Sequence, residues 1–589
     1  MIRRNTLKTV KMKVNGKSIQ VPASYSVLQA AKEVNINIPT LCYHPDLPAW
    51  AACGICVVKL ENSPKMVRAC ATPVAAGMSI ITHDAELHQI RKTVIELILS
   101  THPSSCLTCG RNGSCELQNL AANFGVREQP YEIRLRDFEP DTSTTSIVMN
   151  REKCISCGRC AMVCQSLQGV WALEFVGRGE HTVIAPAGEV PLNDSPCIKC
   201  GQCSAHCPVG AIFEKDETRE FMEATRDKDK HVVVQIAPAV RVAIGEAFDM
   251  EPGTISTGRT YAALRALGAD TVFDTNFSAD LTIIEEGSEL VHRITTGKGE
   301  LPQITSCCPA WTDYMEKYYP DMIPNFSTAK SPMMMQGALT KTYYAQNVGV
   351  DPKNIYSVAI MPCTAKKFEK ERDENMYASG YADVDLVLTT RELTRLIRSA
   401  GIDFVNLGEE EADSPIGAYS GAGTIFGNTG GVMEAAVRTA YKLVTDEELG
   451  DVNVTAVRGM DGVRKGSVDF KGTEIKVAVA HGMANVSTLL EEIREARNNK
   501  QEPPYHFIEV MACRGGCIAG GGQPYATTDE VRNKRIAGIY KDDEQSDIRC
   551  SHQNPDIQKL YDDFLGKPLG KKSHDLLHTG YHERPLYKK

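Results

Sequence analysis

Two copies of one cysteine run, Cys154-x2-Cys157-x2-Cys160-x3-Cys164 and Cys197-x2-Cys200-x2-Cys203-x3-Cys207-Pro208, lie 43 residues apart in the chain. In two-cluster ferredoxins the first three cysteines of such a run hold one four-iron cluster, and the fourth reaches across to the other. The expectation is that Cys207 completes the set of Cys154, Cys157 and Cys160, and that Cys164 completes the set of Cys197, Cys200 and Cys203. Zinc closes a tetrahedron with four ligands and has no use for eight thiols so tightly repeated. The chain holds 21 cysteines, an odd number, in tight clusters. Its basic start, Met1 to Val10, has no apolar core or cleavage site behind it, so the thiols are expected to bind metal in a reducing compartment instead of forming disulfides.

Two more sets precede the repeat. Cys42, Cys53, Cys56 and Cys70 follow C-x10-C-x2-C-x13-C, a looser relative of the plant-type two-iron pattern. They sit behind an alternating run (Val10 to Val14), a turn at Asn15-Gly16, a return through Ile19 and Val21, and an amphipathic helix near Ser26 to Val34, which suits a small ferredoxin-like sheet. A zinc ribbon is the competing reading, but it prefers two C-x2-C pairs and only one is present. The other set is His102, Cys106, Cys109 and Cys115, delivered by a helix expected over His88 to Leu99. One imidazole and three thiolates serve a four-iron cluster or zinc equally well, and spacing does not choose between them.

At 589 residues the chain has room for several domains. With 42% hydrophobic and 24% charged residues it is too apolar for a disordered protein, and a net charge of -9 without a basic cluster argues against nucleic acid and anionic membranes as partners. No run approaches the roughly 18 apolar residues that span a bilayer; a cytoplasmic location is expected. From about His231, apolar strand-like runs alternate with helical stretches: Val232 to Ile236, Thr271 to Phe273, Ile355 to Met361, Val384 to Leu388, Ile475 to Val479 and Phe507 to Met511. That alternation implies α/β layers with substantially parallel sheet. Cys363 follows one strand, Cys513 another, and Cys307-Cys308 the short run Pro302 to Thr305, so loops at carboxyl ends of strands are expected to bring them together. The plainer alternative is cysteine as a small buried hydrophobe. The glycine-rich stretch Gly421 to Gly431, before a helix over Val432 to Leu443, lacks a Walker lysine and reads as a structural turn. No flavin or dinucleotide fingerprint is found.

The segments TSCCPAW (Thr305 to Trp311), MPCTAKK (Met361 to Lys367) and MACRGGCIAGGGQP (Met511 to Pro524) resemble the three signature segments of di-iron hydrogenases. With the upstream cysteine sets, the resemblance covers nearly the whole chain. It implies that Cys308, Cys363, Cys513 and Cys517 hold the four-iron part of the active-site H-cluster, Cys517 also bridging to a di-iron unit bearing carbonyl, cyanide and a bridging dithiolate. It settles the His102 set as a four-iron cluster, for a total of one two-iron and three accessory four-iron clusters. Nineteen of the 21 cysteines are then ligands. Cys307 takes the family's proton-relay position, and Cys550 reads as a free thiol.

Heterolytic cleavage of H2 needs a metal to take the hydride, a base to take the proton, and wires for electrons and protons. Glu286 and Glu289, three apart on a helix expected over Ala279 to Ile294, share one face. Alone they read as a solvated face with a Glu289–Arg293 pair. The resemblance instead implies a relay from Cys307 through Glu286, Ser327 and Glu289, with Arg293 near its mouth. It also implies Lys366 as the donor to a cyanide ligand, and Pro238, Ala239, Met333, Met361, Pro362 and Met511 as cofactor-pocket residues. Ala239 and Met333 depart from relatives that carry serine and glutamine there, which leaves redox tuning open.

The expected architecture is multidomain, α+β and α/β: a β-grasp two-iron domain (1–85), a four-iron domain with one His and three Cys ligands (86–140), a two-cluster ferredoxin domain (141–225) and a large α/β hydrogenase catalytic domain (226–589). The phrases IPTLCYHPDL and LLHTGYHERP resemble catalytic subunits of multi-subunit, electron-bifurcating hydrogenases. The implied partners are H2 and protons, ferredoxin, and subunits carrying flavin and NAD(P). A standalone ferredoxin-linked enzyme is the alternative. A respiratory-complex subunit would explain only residues 1 to about 220, and a hydrogen sensor would be expected to replace Cys307 and append a signalling domain, for which the chain leaves no room.

Overall fold

The computed structural model describes residues 8–525 and 527–588; the first seven residues, on which part of the targeting reading falls, lie outside the described residues. Strands β1 (Thr9–Val14) and β2 (Lys17–Pro22) form an antiparallel hairpin whose turn residues, Asn15 and Gly16, both have positive φ (49° and 79°). That is the primed-turn geometry that matches strand twist. With β3 (Val57–Leu60), β4 (Met66–Arg68) and β5 (Ser79–Ile81) they make a five-stranded sheet of order β2-β1-β5-β3-β4, in which β1 and β5 run parallel. The helix Val27–Lys32 crosses it. Ser26 and Gln29 cap that helix reciprocally, and Val27, Leu28, Ala30 and Ala31 are buried with Met12, Val14, Val58 and Ile80.

The next helix is longer than the sequence suggests. It spans Ala85–Leu99, starting three residues before His88, because the Asp84 carboxylate accepts the Leu87 amide at 2.7 Å and fixes the first turn there. The buried Arg91 guanidinium donates to the carbonyls of Ile55 (3.1 Å), Val57 (2.6 Å) and Thr82 (2.9 Å), tying this helix to the β-grasp sheet. Two short antiparallel pairs follow, β6 (Ile147–Met149) with β9 (Ile212–Glu214) and β7 (Glu174–Val176) with β8 (Val183–Ala185).

The remainder is built on two four-stranded sheets. In the first, β10 (His231–Ile236), β11 (Thr271–Asp274), β13 (Ile355–Met361) and β14 (Leu386–Thr389) are all parallel, in order β11-β10-β13-β14. In the second, β12 (Gln303–Ile304), β17 (Phe507–Met511) and β16 (Thr473–His481) are parallel, but β15 (Val463–Phe470) pairs antiparallel with β16. The sequence reading did not include β15, whose alternating Lys, Gly, Ser and Asp hide it; its turn, Lys471-Gly472, again has two positive φ values (51° and 93°). Strand β14 begins at Leu386, two residues after the expected Val384. The helix expected over 279–294 runs Thr275–Thr296, because Asp274 caps it at the Asn276 amide (2.9 Å) and Gly297 closes it with φ 66°. Its Phe277, Leu281 and Ile284 are buried with Phe273, Met335 and Leu339. Each such side chain contributes about 1.5–3 kcal/mol relative to exposure.

Candidate active site and cysteine centres

Where the two sheets meet, the loops that leave β12, β13 and β17 line one shared cavity. Cys308, Cys363, Cys513 and Cys517 lie on its wall with Cys307 and Lys366, as do Pro238, Ala239, Met333, Met361, Pro362 and Met511. Carboxyl ends of parallel strands gather loops in this way. Cys308 caps the helix Pro309–Tyr318, and Cys363 and Cys513 each follow their strand within two residues. Burial pushes the Cys363 thiol up to about 12 and raises the Cys513 thiol well above its ordinary value. Thiolates crowded in so dry a place require a cation among them, and this donor set fits an iron–sulfur group.

Lys366 faces the same space. Its ammonium donates to the Cys307 carbonyl (3.1 Å) and to Glu369 (2.7 Å). Burial pulls its pKa down, yet the Glu369 carboxylate and the nearby thiols outweigh this and hold it above the ordinary lysine value.

On the outer side of Cys307, the helix Thr275–Thr296 presents Glu286, Glu289 and Arg293. Glu286 is 2% exposed; burial, with the Glu289 carboxylate beside it, pushes its carboxyl up to about 8, and Ser327 and Arg293 oppose that rise. Ser327 Oγ donates to Glu289 Oε2 at 2.9 Å. Arg293 holds the other oxygen, Oε1, at 2.6 Å and also donates to the carbonyl of Phe326 (2.6 Å). The i,i+4 pair of the plain reading is therefore present, but the face is buried instead of solvated.

The repeated cysteine runs close into two sets with their fourth members exchanged. Cys154, Cys157, Cys160 and Cys207 surround one small cavity, and Cys164, Cys197, Cys200 and Cys203 another. Burial pushes Cys157 and Cys164 up to about 12. In the β-grasp sheet, Cys56 and Cys70 sulfurs are 3.3 Å apart and the Cys53 amide points at Cys42 Sγ (3.5 Å). His102 is buried with Nδ1 unpartnered, and burial lowers its pKa to about 4, so it is a neutral imidazole fit to bind metal. Cys106 and Cys109 flank one helical turn, and Cys109 and Cys115 lie within electrostatic reach of each other.

Several neighbours escaped the sequence reading. Phe426, inside the stretch read as a turn, lines the cavity; the residues before it, Gly421–Ile425, form one buried helical turn. Gln202 Nε2 donates to Cys513 Sγ (3.2 Å), and Thr364 Oγ1 to the Lys199 carbonyl (2.8 Å), so the Cys200 loop abuts the catalytic loops. Glu369 had a signal, since Lys366-x-x-Glu369 places both on one helical face. Cys550 is buried, outside every cysteine set. No helix among the described residues is long and apolar enough to cross a membrane.

Comparison with known proteins follows this division. Residues 230–521 match the family described as iron only hydrogenase large subunit, C-terminal domain, and residues 529–584 that of iron hydrogenase small subunit. Residues 7–85 match a 2Fe-2S iron-sulfur cluster binding domain, 91–130 the NADH-ubiquinone oxidoreductase-G iron-sulfur binding region, and 153–211 a 4Fe-4S dicluster domain. The chain is 46% identical to the NADP-reducing hydrogenase subunit HndD of Solidesulfovibrio fructosivorans, over 97% of this chain and 98% of that one. It is 39% identical to iron hydrogenase 1 of Clostridium pasteurianum, over 96% and 99%. Among solved structures, a variant of the apo FeFe-hydrogenase HydA1 from Chlamydomonas reinhardtii superposes with a TM-score of 0.56 at 40% identity, covering 63% of this chain and all (100%) of that one.

Proposed function

The chain belongs to the FeFe hydrogenase family, and from that premise we propose that it catalyses the reversible oxidation of H2 to protons and electrons within a multi-subunit, NAD(P)-linked assembly. The observation that carries this reading is the convergence of Cys308, Cys363, Cys513 and Cys517 on one buried cavity with Cys307 and Lys366 on its wall. Those four thiolates would hold the active-site cluster. When bound, the cluster supplies an iron with an open position and a pendant base, which together cleave or form the H–H bond.

The chain's own residues do the rest. Pro238, Ala239, Met333, Met361 and Phe426 keep water from the cavity, and Lys366 offers a fixed positive charge to anionic ligands. Cys307, a neutral thiol in this dry setting, holds a proton at Sγ and exchanges it with Glu286. Glu286 passes the proton through Ser327 Oγ to Glu289, whose hydrogen bond of 2.9 Å is within the reach proton transfer needs. Arg293 orients Glu289 at the outer end.

Cys42, Cys53, Cys56 and Cys70 would hold one two-iron centre, and three four-iron centres would be held by His102 with Cys106, Cys109 and Cys115 and by the two exchanged sets of the repeat; together these would supply a path for electrons. The contact of the Cys200 loop with Thr364 supports the last of these as the neighbour of the active site. Flavin and nicotinamide sites belong to partner subunits; the similarity to an NADP-reducing hydrogenase subunit and the small-subunit-like segment 529–584 support this. Ferredoxin is the second electron partner, in a bifurcating assembly. The full-length likeness to iron hydrogenase 1 favours a standalone, ferredoxin-linked enzyme as the second reading.

The test is infrared spectroscopy of the anaerobically matured protein in the carbonyl and cyanide region, paired with hydrogen uptake on a viologen dye. Both signals are expected. Iron–sulfur absorbance without either, in fully matured material, overturns the reading. Copurification from the native source with flavin-bearing subunits and NAD(P) reduction separates the assembly from the standalone enzyme.

A further inference from the structure

Cys550 is the one cysteine that neither the cluster sets nor the proton path uses. It is 2% exposed, and no described group forms a hydrogen bond with its thiol. Around it stand His552 and Glu448, and the three potential ligand atoms all lie within 4.8 Å of one another. His552 Nε2 is 3.0 Å from Glu448 Oε2, while its other nitrogen, Nδ1, meets Thr439 Oγ1 at 3.2 Å. An outer partner on one ring nitrogen that aims the other at a shared point is how histidine ligands are held to metals. Tetrahedral zinc, with bonds of about 2.0–2.3 Å, sets its ligand atoms roughly 3.2–3.8 Å apart, so small side-chain movements suffice here.

We propose that Cys550, His552 and Glu448 form a zinc site, with water as fourth ligand, that clips the small-subunit-like segment onto the catalytic core. A thiolate, an imidazole and a carboxylate together select a borderline cation such as Zn2+ over Mg2+ or Ca2+. Burial pushes the Cys550 thiol up to about 11, so binding releases its proton to solvent as the Zn–S bond forms. Gln553 (3.2 Å) and His552 share Glu448 Oε2, and Oε1 makes only a long 4.0 Å ion pair with Lys442 on a half-exposed side chain, which a metal ion can displace. The site joins two parts of the chain. Thr439 belongs to the helix Gly431–Thr445 and Glu448 to the turn after it, whereas Cys550 and His552 belong to the segment that follows the helix Asp529–Gln545. The proposal is independent of the hydrogenase reading.

The test uses anaerobic holoprotein, stripped of loose metal with a chelator, given one equivalent of ZnCl2 and desalted. Zinc and iron are counted by mass spectrometry, and the zinc K-edge is recorded. The expected result is one zinc per chain, in a shell of one sulfur and the rest nitrogen or oxygen. Bound zinc falls at least about tenfold in Cys550→Ala and in His552→Gln with iron unchanged, and Thr439→Val weakens affinity about tenfold. Wild-type protein that retains no zinc, zinc kept equally by both variants, or an all-sulfur shell that marks a vacant iron site would each overturn the proposal. If one variant fails to fold, the other decides.

Discussion

The raised pKa of Glu286 suits the proton relay proposed for it. Pushed up to about 8, it is protonated at neutral pH, and ionising it at pH 7 costs only about 1.4 kcal/mol. Glu286→Gln keeps the volume and blocks exchange, so dye-linked turnover is expected to fall about 10²–10⁴-fold with the carbonyl and cyanide bands unchanged. In the wild type, hydrogen evolution is expected to decline above pH 8 as this proton is lost. The raised pKa also fixes a sign for stability. Its contribution is fully present below the unfolded value near 4.5 and is lost as pH rises through about 8. Thermal inactivation should therefore steepen with pH from 5 to 8 in the wild type and less so in Glu286→Gln. Cys307→Ala makes the companion prediction: iron content holds while turnover drops by a similar factor, and full activity in that variant would remove Cys307 from the path. The helical spacing of Glu286 and Glu289 made one shared face legible, but not its burial. Ser327 stands on a loop 38 residues beyond Glu289, where no periodicity reaches; only the family resemblance pointed to it.

At the scale of elements, apolar runs and turn chemistry were readable and polar edges were not. Strands β10, β13 and β17 are mainly hydrophobic, with Gln235, Ser357 and Glu509 as buried polar exceptions, because both faces are buried, whereas β15 is an edge whose outward residues look like loop. Its Lys471-Gly472 turn was the missed cue. Close approach of loops was also invisible, since it depends on what a distant segment leaves no room for. A Cβ at Gly521 would collide with the Cys200 carbonyl and the Gly201 backbone, groups that cannot swing away. Gly521→Ala is expected to cost about 1–3 kcal/mol by overpacking. Earlier thermal loss of the iron–sulfur absorbance reads it; an unchanged melting profile would mean that the two loops separate freely.

Across the whole molecule, the cysteine spacing announced which segments hold clusters, but the joints between those segments rest on charges far apart in sequence. Asp46, four residues after Cys42, is buried against Arg532, and Arg514 binds its other oxygen at 2.7 Å. The rings of His44 and His206 pack beside it, tilted by 59° with centroids 4.4 Å apart. One carboxylate thus ties the β-grasp module to the two-cluster module and to the helix Asp529–Gln545. Burial alone would raise its pKa, but the His206 ring 3.7 Å away and the hydrogen bonds from Arg532 prevail and hold it well below the usual carboxylate range. A depressed pKa gives stability that is present above the unfolded value near 3.8 and lost as pH falls through the folded one, so the joint holds at neutral pH. Asp46→Asn keeps the shape and leaves Arg532, 3% exposed, with only the more exposed Asp529 carboxylate (2.8 Å) as counter-charge, a defect of about 1–3 kcal/mol. That cost falls on a junction instead of a core. Amide exchange over residues 8–85 is expected to rise while dye-linked hydrogen uptake changes less than about twofold. Were exchange to rise equally through the two catalytic sheets, the module would have to be part of one cooperative unit with the active site.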